Sequence, residues 1–124
     1  MTETAAAYRA AWNTGSPDAV ASFYAQDGEI VINRGTPWQE RSSVGKMAAG
    51  FYADVTDLVL ACNDVRIAGD HVAFFWTFTG SDCGTGNPLT VVGWAEWDLG
   101  ADYKVTVLRG WFHAYEHARQ VNAD

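Results

Sequence analysis

The second half of the chain carries aromatic side chains on both faces of a run of strand patterns, and this limits what it can fold into. From Asp57 onward apolar and polar residues alternate, the period of an extended strand. The alternation predicts strands over 58–68, 71–79, 89–98 and 104 to about 115. Gly69-Asp70 reads as a tight hairpin turn and 81–88 as a polar, glycine-containing loop. In the second strand Val72, Phe74, Trp76 and Phe78 share one face and Phe75 takes the other. In the third Trp94 opposes Trp97, and in the fourth Trp111 opposes Phe112. A sheet that is apolar on both sides must be covered on both.

The first half supplies one cover. Ala5, Ala6, Ala7, Ala10 and Ala11 are strong helix formers, and Tyr8 and Trp12 lie four apart on one face, so a helix is predicted over 2–14. Gly15 stops it. Ser16-Pro17-Asp18 starts another, with Ser16 as N-cap, Pro17 at the first helical position and Asp18 at the positive end of the helix dipole. Val20, Phe23 and Tyr24 form its apolar stripe, and Asp27-Gly28 ends it. A short strand over 29–32 and a loop over 33–40, holding Gly35, Pro37 and Trp38, come next. A third helix is predicted from 42 or 43 to about 53, where Met47 and Phe51 lie four apart, as do Ala48 and Tyr52. Helices followed by antiparallel strands indicate an α+β fold with the helices on one face of the sheet. The uncovered face then implies a second subunit, and a homodimer is expected through it.

A chain of 124 residues suits one domain, 1–124, with a core that needs no staples. Apolar residues make up 48% and charged ones 19%, which argues against global disorder. The 8 basic and 15 acidic residues leave a net charge of −7, the wrong sign of field for nucleic acid or an anionic membrane. Cys62 and Cys83 fit no zinc or redox spacing and read as reduced thiols of a cytoplasmic protein. Met1-Thr2-Glu3-Thr4 begins no signal-peptide pattern, and no apolar run approaches the roughly 18 residues of a membrane span. Six Trp, five Tyr and six Phe exceed the needs of a small core and predict an aromatic lining as well.

The element order resembles the nuclear transport factor 2-like superfamily, and within it the SnoaL-like and ketosteroid-isomerase-like proteins. The resemblance rests on Tyr8-Arg9-Ala10-Ala11-Trp12-Asn13-Thr14-Gly15 with Asp18 after it, and on Phe23-Tyr24-Ala25-Gln26-Asp27. It rests also on Ala68-Gly69-Asp70-His71-Val72, on Lys104-Val105 to Trp111, and on Gln120-Val121. It implies a strongly curved, mainly antiparallel sheet wrapped round a long helix, a cone with an apolar pocket at its open end, and frequent dimers. Such families include isomerases, cyclases, hydrolases and pure binding modules, so the pocket residues must decide.

The resemblance puts Tyr8 where ketosteroid-isomerase-like proteins carry the tyrosine of their oxyanion hole, where a phenol donates to a developing enolate oxygen. A core tyrosine stacked near Trp12 is the plainer alternative. It puts Ile32 where that family has its catalytic aspartate, and isoleucine cannot accept a proton. This departure argues against carboxylate-catalysed ketosteroid isomerisation. His113 falls in the stretch where SnoaL-like cyclases carry an aspartate acid/base, and histidine titrates near neutrality. If the last strand runs to about 115, alternation sets Arg109, Trp111, His113 and Tyr115 on one face. One register with the third strand adds Trp94 and Glu96 to that face; a slip of one residue adds Gly93 and Trp97 instead.

The expected catalytic set is therefore His113, Tyr8 and Arg109, and the expected ligand lining is Trp12, Trp38, Trp76, Trp94, Glu96 and Trp111. His71, His113 and His117 share no ligand spacing with a carboxylate, so no metal is expected, nor any cofactor. The expected function is binding of a small apolar or cyclic carbonyl compound, with acid/base isomerase or cyclase chemistry as one outcome. A non-catalytic ligand-binding or dimerisation module is the other.

Overall fold

The computed structural model describes residues 2–123. Helix α1 (Thr2–Trp12) and helix α2 (Pro17–Ala21) lead into strand β1 (Tyr24–Ile32) and a short β2 (Trp38–Gln39). Helix α3 (Arg41–Asp54) follows, and then the long strands β3 (Val55–Ala68), β4 (His71–Asp82), β5 (Pro88–Leu99) and β6 (Val105–Phe112). Helix α4 (Ala114–Val121) closes the chain. The six strands form one curved sheet in the order β2-β1-β6-β5-β4-β3. Neighbours are antiparallel except β1 and β6, which are parallel. This is an α+β architecture with helices on one side of a mainly antiparallel sheet, as the sequence order predicts.

Local chemistry places the elements. The Ser16 hydroxyl accepts from the Ala19 amide at 3.2 Å, and Pro17 opens α2, so the predicted cap forms. Gly69 turns the β3–β4 hairpin with φ 62°, a conformation that favours glycine. Along β4, Val72, Phe74 and Phe78 are buried, and along β5, Leu89, Val91, Ala95, Trp97 and Leu99. These residues share the inner face, where Phe74 pairs with Ala95, Trp76 with Gly93 and Phe78 with Val91. Ala5, Tyr8, Ala11 and Trp12 of α1 pack with them in the core. Trp97 stacks on Phe74 with ring centroids 5.2 Å apart and meets Tyr8 edge-on at 5.0 Å.

Two sequence expectations need correction. The second helix stops at Ala21, and Tyr24 starts β1 instead of ending a helical stripe. Tyr24 is tied into the sheet beside Val105, and its carbonyl accepts from Arg41 Nε and Nη2 at 2.9 and 2.7 Å. The last strand ends at Phe112 rather than near 115, and the chain turns into α4. Two clasps hold this helix. Gln120 bonds both the amide and the carbonyl of Thr90, and Asn87 Nδ2 donates to the carbonyls of Gln120, Val121 and Ala123. Among the described residues no helix is long and apolar enough to cross a membrane.

Candidate functional site

A cavity of about 90 Å³ lies between the inner sheet face and the helices. Small residues make the space: Ala95 and Gly110 face it where neighbouring strand positions carry large side chains. Seven aromatic side chains wall it, namely Tyr8, Trp12, Phe51, Phe74, Trp76, Phe78 and Phe112. Aliphatic groups fill the gaps, Ile32 among them. None of the described lining residues carries a carboxylate, an imidazole or a cationic group. Ile32 thus turns an inert side chain to the cavity at the position where the resemblance implied a base.

Tyr8 supplies the one hydroxyl among the described lining residues, 2.8 Å from the buried Tyr24 hydroxyl. Burial raises the Tyr8 phenol above its ordinary value, while its hydrogen bonds to Tyr24 and Trp12 pull the other way. Burial, reinforced by Tyr8, lifts Tyr24 well above the ordinary range. Both phenols are therefore neutral hydrogen-bonding groups at neutral pH. Tyr52 sits beside them and donates to the Trp12 carbonyl at 2.7 Å; desolvation pushes its phenol up to about 12.

The cavity thus gathers Tyr8, Trp12 and Trp76 from the expected set. The rest lie elsewhere. Trp94 pairs with Trp111 and Glu96 with Arg109, the first of the two registers considered. That face is the outer one. Its inner counterpart on β6 is Leu108, Gly110 and Phe112, because those positions pack on the core side. Trp94 and Trp111 meet edge-on at 5.6 Å, and Phe75 meets Trp94 at 6.3 Å, in an open outer groove that also includes His113. His113 immediately precedes α4, makes no side-chain capping bond and is exposed. Tyr115 is on α4 rather than on a shared strand face, and 77% exposed. Trp38 is exposed on β2 and paired to Ile30.

Glu96 does not bond Arg109. Its Oε1 lies 3.1 Å from His71 Nε2, while Asp98 Oδ1 lies 2.9 Å from His71 Nδ1. Arg109 Nη1 lies 3.7 Å from the other Asp98 oxygen. The bond to Asp98, and then that to Glu96, raises the His71 pKa. His71 opens the strand predicted over 71–79, and its register with Asp98 follows from the pairing of β4 to β5.

His117 lies past the strand predicted to about 115, in helix α4. It sits on the inner side of α4, edge-on to Phe78 at 6.1 Å and Phe112 at 5.9 Å, two rings that wall the cavity. The signal was available: Glu116 and Arg119, three apart, pair as they would on a helix, with Arg119 Nε donating to Glu116 Oε2 at 2.8 Å. The Arg119 guanidinium holds the Glu116 carboxyl down at about 2.

Comparison with known proteins agrees with this fold. The SnoaL-like domain profile matches residues 5–108. No curated protein matches the chain. A protein of ketosteroid isomerase-like fold from Catenulispora acidiphila, solved in complex with trimethylamine, superposes with a TM-score of 0.90 at 21% identity, covering 98% of this chain and 94% of its own. A Jannaschia protein described as a SnoaL-like polyketide cyclase gives 0.87 at 16% identity, covering 99% and 92%. The LEH-like epoxide hydrolase of M. tuberculosis gives 0.77 at 13% identity, covering 96% and 86%. Identities this low speak for the fold alone. With its profile match and its curved sheet around an apolar cavity, the chain belongs to the SnoaL-like domain family of the nuclear transport factor 2-like superfamily.

Proposed function

We propose that the cavity binds a small, mainly apolar carbonyl compound whose oxygen accepts a hydrogen bond from Tyr8. The supporting observation is an aromatic cavity whose described lining offers one hydroxyl, backed by the buried Tyr24. A hydrogen bond formed away from water orients a ligand more strongly than one at the surface. At about 90 Å³ the space is smaller than the roughly 150 Å³ cavity that takes benzene in an engineered protein. A ligand of a few heavy atoms suits it, and a whole steroid would have to open it. The trimethylamine held by the Catenulispora acidiphila neighbour is a molecule of that small class.

Binding without turnover is the reading that the lining favours over isomerase or cyclase chemistry. Acid/base catalysis needs a proton acceptor within hydrogen-bond reach of the substrate, and the described lining has none. His113 and Arg109 lie on the outer side, where they cannot serve that role without a change of shape. We place the protein in the cytoplasm, where Cys62 and Cys83 stay as free thiols.

Tryptophan fluorescence tests the reading, since Trp12 and Trp76 wall the cavity. Cyclopentanone is expected to shift the emission saturably, and Tyr8→Phe to weaken that binding about tenfold, the loss of one hydrogen bond. Methylcyclopentane, of similar shape, should bind both forms alike. An unchanged cyclopentanone affinity in Tyr8→Phe removes Tyr8 as the anchor.

A further inference from the structure

We propose that the indole N–H of Trp76 is a second hydrogen-bond donor to the ligand of the cavity, and that this ligand is a small ketone bearing a second acceptor oxygen, as a keto ether does. This rests on the ligand-binding reading and deepens it. The described side chains that line the cavity hold three donors, on Tyr8, Trp12 and Trp76. Tyr8 takes the carbonyl of the ligand in the reading above, and Trp12 is hydrogen-bonded to Tyr8. Trp76 is the donor left over: its Nε1 bonds no described residue. The indole nitrogen of Trp97 also has no partner, but it is shut off from solvent, whereas that of Trp76 keeps accessible surface. A tryptophan N–H set among apolar groups usually finds an acceptor, and here the ligand supplies it.

Place and rigidity support this. Trp76 is on the inner face of β4, between Cys62 of β3 and Gly93 of β5. The sheet closes its outer side, so the surface that the indole exposes opens to the cavity and its mouth. A Cβ on Gly93 would meet the indole atoms Cζ2 and Cη2, so the ring lies over bare backbone of β5. It also stacks on Phe78, with centroids 5.8 Å and planes 19° apart. Tyr8 meets Phe74 edge-on at 6.0 Å, two residues before Trp76 on the same strand. At the rise of a strand that sets the two anchors about 7 Å apart along β4, a span for a ligand of a few heavy atoms. An indole N–H donates and cannot accept. With the Tyr8 hydroxyl donating as well, both contacts call for acceptors, and a keto ether brings two with no proton that needs a partner.

The test compares two probes of the same shape, cyclopentanone and tetrahydrofuran-3-one, on the full chain. They differ by one CH2 exchanged for an acceptor oxygen. The affinity ratio of the two is read in the wild type and in Trp76→Phe, which keeps an aromatic ring and loses the N–H. Taking the ratio within each form cancels the change in cavity volume. The ratio is expected to favour tetrahydrofuran-3-one about fivefold more in the wild type than in Trp76→Phe, the loss of a donor that leaves an acceptor unmet. An equal ratio in the two forms overturns the second anchor while leaving cyclopentanone binding intact. Binding of neither ketone overturns the ligand-binding reading itself. Should Trp76→Phe fail to fold, the indole proton resonance of Trp76 in the wild type decides. It must move downfield further with tetrahydrofuran-3-one than with cyclopentanone, and equal movement with both sinks the proposal.

Discussion

On the protein surface the His71 imidazole bridges two carboxylates. Both ring nitrogens face carboxylates, Asp98 at 2.9 Å and Glu96 at 3.1 Å, and Arg109 approaches Asp98 from the other side. The protonated imidazole suits this setting best, which is why its pKa is raised. The sign of the stability effect follows. A histidine whose folded pKa lies above its unfolded value stabilises fully below about pH 6.5, and loses that contribution as pH rises through the folded value. The His71→Gln variant should therefore melt below the wild type by the largest margin near pH 5.5, and the gap should narrow by about pH 9. Thermal melts at the two pH values measure it, and a gap independent of pH would show that charge plays no part. The side chain is 43% exposed, so solvent screens the pair and the effect is modest.

Among the elements, β5 and β6 decide where a ligand can go, and two of their glycines act in opposite ways. A Cβ on Gly93 would run into the carbonyl of Trp111 and the indole of Trp76. Backbone cannot give way, so Gly93→Ala should destabilise by about 1–3 kcal/mol, read from a denaturant midpoint. A Cβ on Gly110 would meet Leu108 Cδ2 at 3.6 Å and the Trp94 carbonyl at 3.8 Å, ordinary contact distances. Gly110→Ala should therefore fold normally, yet weaken cyclopentanone by about threefold or more, because Gly110 lines the cavity. Equal affinity in Gly110→Ala would mean that the ligand sits elsewhere. These strands also show what could be read from sequence. The pairing of Trp94 with Trp111 and Glu96 with Arg109 was one of two registers that alternation allowed. Which face turns inward was not legible, because Trp94 and Trp111 are as aromatic as Trp97 and Phe112. Packing against Tyr8 and Phe74 decides it for Trp97, and room for a cavity decides it for Gly110. Helix α4 was missed because Trp111, His113 and Tyr115 keep the period of a strand past its end, while Asn87 and Gln120, distant in sequence, clasp the helix. Tyr8, Trp12 and Trp76 were legible as lining because α1 and the inner face of β4 have one face each that can be buried.

At the scale of the molecule the unresolved demand is the outer face of the sheet. The helices serve the inner side, and Trp94 remains 45% and Val92 62% exposed beside Trp111 and Phe75. Contiguous aromatic surface of this kind is unusual on a lone chain, and a second copy related by a two-fold axis would cover it with the same patch. We therefore propose a homodimer through this face. Two opposing terms set its strength. Pairing removes apolar area from water at about 25 cal/mol per Å², while two chains of net charge −7 repel. Salt screens the repulsion and leaves burial largely untouched. Sedimentation at micromolar concentration should thus find a species of twice the 13.5 kDa chain mass, held more tightly at higher ionic strength. Trp94→Glu adds a charge to the middle of the patch and should yield the 13.5 kDa species alone. Because Trp94 is on the outer side of β5, that variant should still bind cyclopentanone as the wild type does. A wild type that sediments as a single chain would leave the outer groove free for another occupant, and loss of cyclopentanone binding in Trp94→Glu would mean that the two faces are coupled through the sheet.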